Sequence, residues 1–210
     1  KRRDTTSNHV LSNSISGAAK NTYPDLPDSE ASDSGGISSF DANGYSTSTS
    51  TNWNGNGGTY VSWNWKAGTT SGLSGGTITP SSYSINTTSG FGMYKYTGTG
   101  SAGTIAHGLG VAPTMMIVKK YNTTGDWYVY HKDMPSGNGY HLRLNANSAE
   151  ASGTEWNSTD PTSTVFSLGA NSNVNASGAT FIAYVFAPIK GYSKFGEYTG
   201  NGNADGTFVY

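Results

Sequence analysis

Apolar residues in this chain alternate with polar ones in short runs instead of recurring at every third or fourth position. Residues 60–65 put Val61, Trp63 and Trp65 on one side of an extended backbone and Tyr60, Ser62 and Asn64 on the other, the period of a half-buried strand. Residues 181–186 (Phe-Ile-Ala-Tyr-Val-Phe) and 115–118 (Met-Met-Ile-Val) are apolar throughout, as a central strand covered on both faces requires. Residues 91–97, 127–131, 141–144 and 164–168 complete the predicted strands. Glycine and proline punctuate them, Gly98, Gly100, Gly108, Gly110, Pro113, Gly125, Gly137, Gly139 and Gly153 among others. No sustained helical period is present. Residues 146–151 are the best helical candidate and are too short to nucleate one alone. The pattern predicts an all-β chain with negligible helix, built from sandwiches of jelly-roll or lectin-like type at about 100 residues per unit.

The pattern also repeats. Tyr60-Val61-Ser62-Trp63-Asn64-Trp65-Lys66-Ala67 has a partner in Phe181-Ile182-Ala183-Tyr184-Val185-Phe186-Ala187-Pro188. Gly44-Tyr45-Ser46 answers Val165-Phe166-Ser167, and Arg3-Asp4-Thr5-Thr6 answers Tyr121-Asn122-Thr123-Thr124. A second echo runs forward, Tyr96-Thr97-Gly98-Thr99-Gly100 returning as Tyr198-Thr199-Gly200-Asn201-Gly202. Four segments follow: 1–67, the C-terminal part of a first sandwich; 68–90, a Gly/Ser/Thr-rich linker or insertion; 91–190, a complete unit; and 191–210, the opening strands of a further one. By the same matching, the first unit lacks the strands that correspond to residues 94–118. A strand from elsewhere, residues 195–210 of the same or a neighbouring chain or further sequence, is expected to fill that gap. Self-association through strand pairing or head-to-tail repeats is the implied mode of assembly.

Composition narrows the function classes. Charged residues are 12% and hydrophobic ones 34%, with 14 Tyr, 7 Phe and 5 Trp. Disordered chains couple low hydrophobicity to high charge, so this balance favours ordered β structure with polar loops. Net charge is -1 and no basic stripe exists, which argues against nucleic acid as a partner. The absence of cysteine excludes disulfides, thiolate zinc sites and thiol catalysis. No run approaches a membrane helix and no signal peptide is visible.

The repeat assigns Trp63 and Trp65 to a core, because Tyr184 and Phe186 sit at the same spacing on the same face; a sugar-stacking platform is the competing reading. Trp53, Tyr83, Tyr140 and Trp156 are the candidate ligand-contacting aromatics, since large rings in polar loops serve as lids or contacts. Asp41 and Asn43 have the alternating oxygens of a calcium loop but lack its later carboxylate. A simple Asx-type turn is the plainer account there, so no cofactor is expected and calcium is the minor reading. His131 and His141 flank a turn, with Asp133 as the one further ligand nearby. His107, in His-Gly-Leu-Gly, is read as a turn-capping residue. Neither a nucleophile elbow nor a carboxylate pair in a catalytic setting is found, and the chain is expected not to be an enzyme. Acceptor sequons at Asn86, Asn122, Asn157 and Asn175 arise by chance in so Asn/Ser/Thr-rich a chain.

The run Thr104-Ile105-Ala106-His107-Gly108-Leu109-Gly110-Val111-Ala112-Pro113-Thr114-Met115-Met116-Ile117-Val118-Lys119 resembles a segment that recurs in bacteriophage tail-fibre and receptor-binding proteins. Residues 181–188, 191–202 and 60–68 are similar to tandem β-sandwich modules of marine-phage structural proteins. The resemblance implies a tail-fibre or surface-appendage module at the virion surface, spacing or mediating contact with host surface glycans. It supplies no ligand-site motif. The alternative is a carbohydrate-binding accessory module of a bacterial secreted protein.

Overall fold

The computed structural model describes residues 1–208. Thirteen strands dominate, and the only helices among the described residues are two four-residue turns. The strands are β1 (Lys20–Asn21), β2 (Ala31–Ser32), β3 (Ile37–Asp41), β4 (Gly44–Thr47), β5 (Ser82–Asn86), β6 (Phe91–Thr97) and β7 (Gly103–Ala106). They continue with β8 (Met115–Lys120), β9 (Trp127–His131), β10 (Tyr140–Arg143), β11 (Ala151–Ser152), β12 (Val165–Leu168) and β13 (Thr180–Phe186). The helices are α1 (Thr51–Asn54) and α2 (Ser172–Asn175).

Seven strands form one sheet in the order β11-β10-β9-β8-β13-β6-β5, antiparallel at every junction. The apolar runs 115–118 and 181–186, in β8 and β13, lie in its middle, as their composition predicts. On one face Tyr94, Tyr96, Met116, Val118, Tyr128, Tyr130, Phe181, Ala183 and Val185 pack against Ile105, Phe166 and Leu168 of the β7–β12 pair. Trp156 and Val174 close that core from loops and α2. On the other face Phe91, Met93, Trp127, Ile182, Tyr184 and Phe186 meet Leu11, Ile15 and Ala67 from the N-terminal part of the chain. The sheet is therefore covered on both sides, and residues 1–67 supply the second cover.

Those residues also repeat part of the pairing of the later unit, in the same register. Arg2 bridges Tyr60 as Lys120 pairs with Phe181. Leu11 bridges Thr22 as Val129 pairs with Leu142. Lys20 and Asn21 face Ser32 and Ala31 as Tyr140 and His141 face Ser152 and Ala151. α1 stands nine residues before Tyr60, as α2 does before Phe181. The match stops at two places. β4 folds back on β3, whereas its counterpart β12 pairs with β7. Among the described residues, 60–65 have no counterpart of β6 beside them.

That gap accounts for the main departure from expectation. Trp63 and Trp65 are not core residues: they are 61% and 57% exposed. Tyr184 and Phe186 are buried because β13 has a strand on each edge and a layer on each face; residues 60–65 have neither a second flanking strand nor an outer layer. The segment 68–90 also differs from a linker. It carries β5, which pairs along β6, and it buries Ile78 and Ile85 in the first core. Two isolated apolar residues in a Gly/Ser/Thr-rich stretch give too faint an alternation to mark a strand. Residues 146–151, the helical candidate, contain no helix. The opening segment 191–210 lies mostly exposed in its described part, and Val209 and Tyr210 lie outside the described residues.

Candidate functional site

An exposed aromatic surface sits beside the second core. Phe91 and Phe186 stack at 5.1 Å between ring centres, and the Trp65 ring lies 6.4 and 6.2 Å from them. Phe195 joins at 5.7 Å from Phe186. Trp63 stands two residues from Trp65 on extended backbone, so both indoles leave the chain on the same side. Most of each ring faces solvent. Two exposed indoles offer flat apolar faces edged by a single N–H each, suited to stacking on rings or apolar surface.

The four aromatics expected as contacts do not converge. Trp156 is 1% exposed and donates its indole N–H to the Tyr140 carbonyl at 3.0 Å, so it is a core residue and not a contact. Its loop position hid this, because a ring in a polar loop folds inward when a carbonyl is available to take its N–H. Tyr140 is half-buried in β10. Tyr83 packs against the first core and accepts the Leu73 N–H at 2.8 Å. Beside it a shallow groove is lined by Thr69, Leu73, Ile85, Thr87 and Gly108, without a charged group. Trp53, in α1, packs edge-on to Tyr45 at 6.3 Å, and its buried indole N–H finds no acceptor among the described residues.

The Asp41–Asn43 turn is a hairpin device. Asp41 pairs across the turn with Gly44, and its two carboxylate oxygens accept the Ser39 and Ser46 hydroxyls, each at 2.9 Å. Among the described residues no three His, Asp or Glu side chains gather as a metal site would require. His131 and His141 do not meet either. Val129 pairs with Leu142, which puts the two imidazoles on opposite faces of the sheet. His131 accepts the Asp133 N–H, and His141 lies 3.0 Å from Glu155.

His107 behaves as its glycine-flanked setting predicts. It is fully buried; Nδ1 accepts the Leu109 N–H at 3.1 Å, and Nε2 donates to the Thr162 carbonyl at 3.0 Å. Its own carbonyl accepts the Tyr94 hydroxyl. Gly108 and Gly110 take positive φ, 64° and 74°, which the tight turn requires of them. Burial lowers the His107 pKa, with the Thr162 hydrogen bond acting the other way.

Two buried polar groups had no sequence signal. Glu155 accepts from His141 and from the Asn171 and Asn173 amides at 3.0 and 3.2 Å, tying the loop before β12 to α2. Lys119 lies inside the sheet's second face and donates to the Gly125 and Pro27 carbonyls at 2.6 and 2.9 Å. The nearby Trp127 indole N–H is shared by the Tyr23 and Leu26 carbonyls, each at 3.0 Å. Together they clamp the strap formed by residues 23–27. Burial pulls the Lys119 pKa down to about 8 despite the favourable field of Asp126 and Asp28. A lysine pair closing an apolar strand reads from sequence as the strand's solvent end, not as a clamp. No helix among the described residues is long and apolar enough to cross a membrane.

These features define an all-β protein of several sheets, internally repeated, with two exposed tryptophans beside a phenylalanine pair. All of it, residues 1–210, matches a family described only as a domain of unknown function, DUF7483, and the chain belongs to that family. No curated protein and no solved structure matches it.

Proposed function

We propose that the chain is a structural and adhesion module of a bacteriophage tail fibre or surface appendage, built of tandem β-sandwich units that space or mediate contact with host surface glycans. The observation that carries this reading is the recurrence of the same strand register in residues 1–67 and in the later unit. Units that repeat in register are built for extension, since each presents to its neighbour what the last one presented to it. No catalytic step is part of this role.

Trp63 and Trp65 are the glycan contact in this reading, replacing the dispersed set expected from sequence. Their exposure in a nearly neutral chain suits stacking on sugar rings, and repetition raises weak affinity through effective concentration. The test is a glycan array probed with the chain displayed multivalently on beads. Binding to bacterial surface polysaccharide that Trp63→Ala and Trp65→Ala each weaken at least several-fold, with thermal unfolding unchanged, supports the role. Binding unaffected by both substitutions, or no glycan bound at all, sinks the glycan half of it.

A further inference from the structure

Residues 69–73 form an arch along the outer edge of β5 that is tied at both ends. The Thr69 and Ile85 backbones exchange two hydrogen bonds, 2.8 and 2.9 Å long, and the Leu73 N–H donates to the Tyr83 hydroxyl at 2.8 Å. Between these fixed points Gly72 takes φ 85°, the left-handed backbone that turns the chain at the apex. A half-open groove of about 140 Å³ lies between this arch, β5 and the turn at Gly108. Its shape depends on that glycine. A Cβ at position 108 would stand 3.0 Å from Leu73 Cδ1 and 3.3 Å from Ile85 Cδ1, so any other residue there would fill the space that the two methyl groups face.

The lining has two chemistries. Leu73 and Ile85 make an apolar floor, and Ile85, 5% exposed, is anchored in the first core. Thr69, Ser71 and Thr87 stand exposed around it, and their hydroxyls have no hydrogen-bond partner among the described residues. No charged side chain lines the groove. A charged ligand would lose hydration there with no counter-ion to replace it. A wholly apolar ligand would cover hydroxyls that it cannot satisfy. A neutral ring with C–H groups on one face and hydroxyls on its rim meets both halves of the lining. The size agrees, since a cavity of about 150 Å³ accepts a single six-membered ring.

We propose that this groove binds one neutral sugar ring, its C–H face on Leu73 and Ile85 and its hydroxyls bonded to Thr69, Ser71 and Thr87. An apolar floor with a few placed polar groups is the usual build of a small-ligand site. The arch needs no rearrangement to receive the ring, because both of its ends are already tied. The site rests on the glycan reading above in taking the same class of ligand, and it shares no residue with the Trp63 and Trp65 surface.

The test follows the methyl signals of Leu73 and Ile85 by NMR. Methyl glycosides of glucose, galactose, mannose, rhamnose, fucose and N-acetylglucosamine are each added to about 50 mM, the range a single-ring ligand requires. At least one is expected to shift both methyl signals along a saturating curve. Methyl glucuronide, which is charged, and cyclohexanol, a ring with one hydroxyl, should shift them far less. Ser71→Ala and Thr87→Ala, both at exposed positions, should each weaken the bound sugar several-fold with thermal unfolding unchanged, and Trp63→Ala should leave it as it was. No methyl shift with any of the six sugars, an equal response to cyclohexanol or to the glucuronide, or binding indifferent to both hydroxyl substitutions would each overturn the inference. A blank glycan array with the methyl shifts intact would remove the tryptophan surface and leave the groove. Tryptophan-dependent array binding with silent methyls would remove the groove and leave the tryptophan surface.

Discussion

At the scale of single residues, the chain stores its polar groups where backbone carbonyls can receive them. His107 needs its neutral form, because protonation at Nδ1 removes the acceptor that holds the Leu109 N–H. Its folded pKa is lowered, so in the window below the unfolded value of about 6.5 the unfolded chain binds the extra proton. Stability therefore falls with acidification through that window. Urea titrations at descending pH are expected to show this fall, and His107→Ala is expected to flatten it while costing about 2 kcal/mol at neutral pH. Lys119 has the same charge type and the same direction. Its pKa of about 8 lies below the model-peptide 10.5, so between those values the unfolded chain holds the proton and stability rises with pH. The neutral amine keeps two N–H groups for the two carbonyls it touches. The gain is at most about 3 kcal/mol. Above pH of about 10 it is reversed, because burial raises the pKa of Tyr94, Tyr96, Tyr130 and Tyr184 and only the unfolded tyrosines ionise. Lys119→Met should abolish the rise between pH 8 and 10 in equilibrium unfolding; an unchanged slope would assign it elsewhere.

At the scale of elements, strand legibility tracked how completely a strand is buried. β8 and β13 are plain because residues 115–118 and 181–186 are apolar at every position, and β6, β9, β10 and β12 are legible from shorter apolar runs. β5 is not, since Ser82-Tyr83-Ser84-Ile85-Asn86 is an edge strand whose polar positions resemble the loop around it. Its contribution is measurable. Ile78→Ala and Ile85→Ala should each lower stability by about 2–4 kcal/mol in urea unfolding; losses near zero would return residues 68–90 to linker status. The Trp63 and Trp65 assignment failed for a different reason. Strand pattern describes the residue's own alternation, while burial depends on what lies alongside, and the neighbour of residues 60–65 is not adjacent in this fold. The ligand aromatics were least legible, because loop composition does not say whether a ring turns inward, as Trp156 does.

At the scale of the whole molecule, residues 1–67 and the large sheet are joined by polar contacts amid apolar packing: the Lys119 and Trp127 bonds to residues 23–27, and a further buried one at Tyr184. The Asn13 side-chain amide donates to the Tyr184 hydroxyl at 3.1 Å, and both residues are buried. Tyr184→Phe should cost about 1–2 kcal/mol by stranding that amide. It should also raise amide exchange in residues 11–22 more than in β6 or β8, which hydrogen-exchange mass spectrometry would resolve. Uniform exchange changes across the chain would mean that cover and sheet unfold as one body.

The position of β13 in the sheet has a consequence for how the protein is made. It is the last strand in chain order, yet it sits between β8 and β6 near the centre of the sheet. Until residue 186 has left the ribosome, β8 and β6 have no partner for their inner edges, and the apolar faces of both are open. Early strands must wait in a loosely collapsed state for β13 to thread between them, so this unit closes only once residue 186 is made, and its folding is governed by long-range pairing. Chains stalled before residue 180 would expose two sticky edges at once, a natural substrate for chaperones.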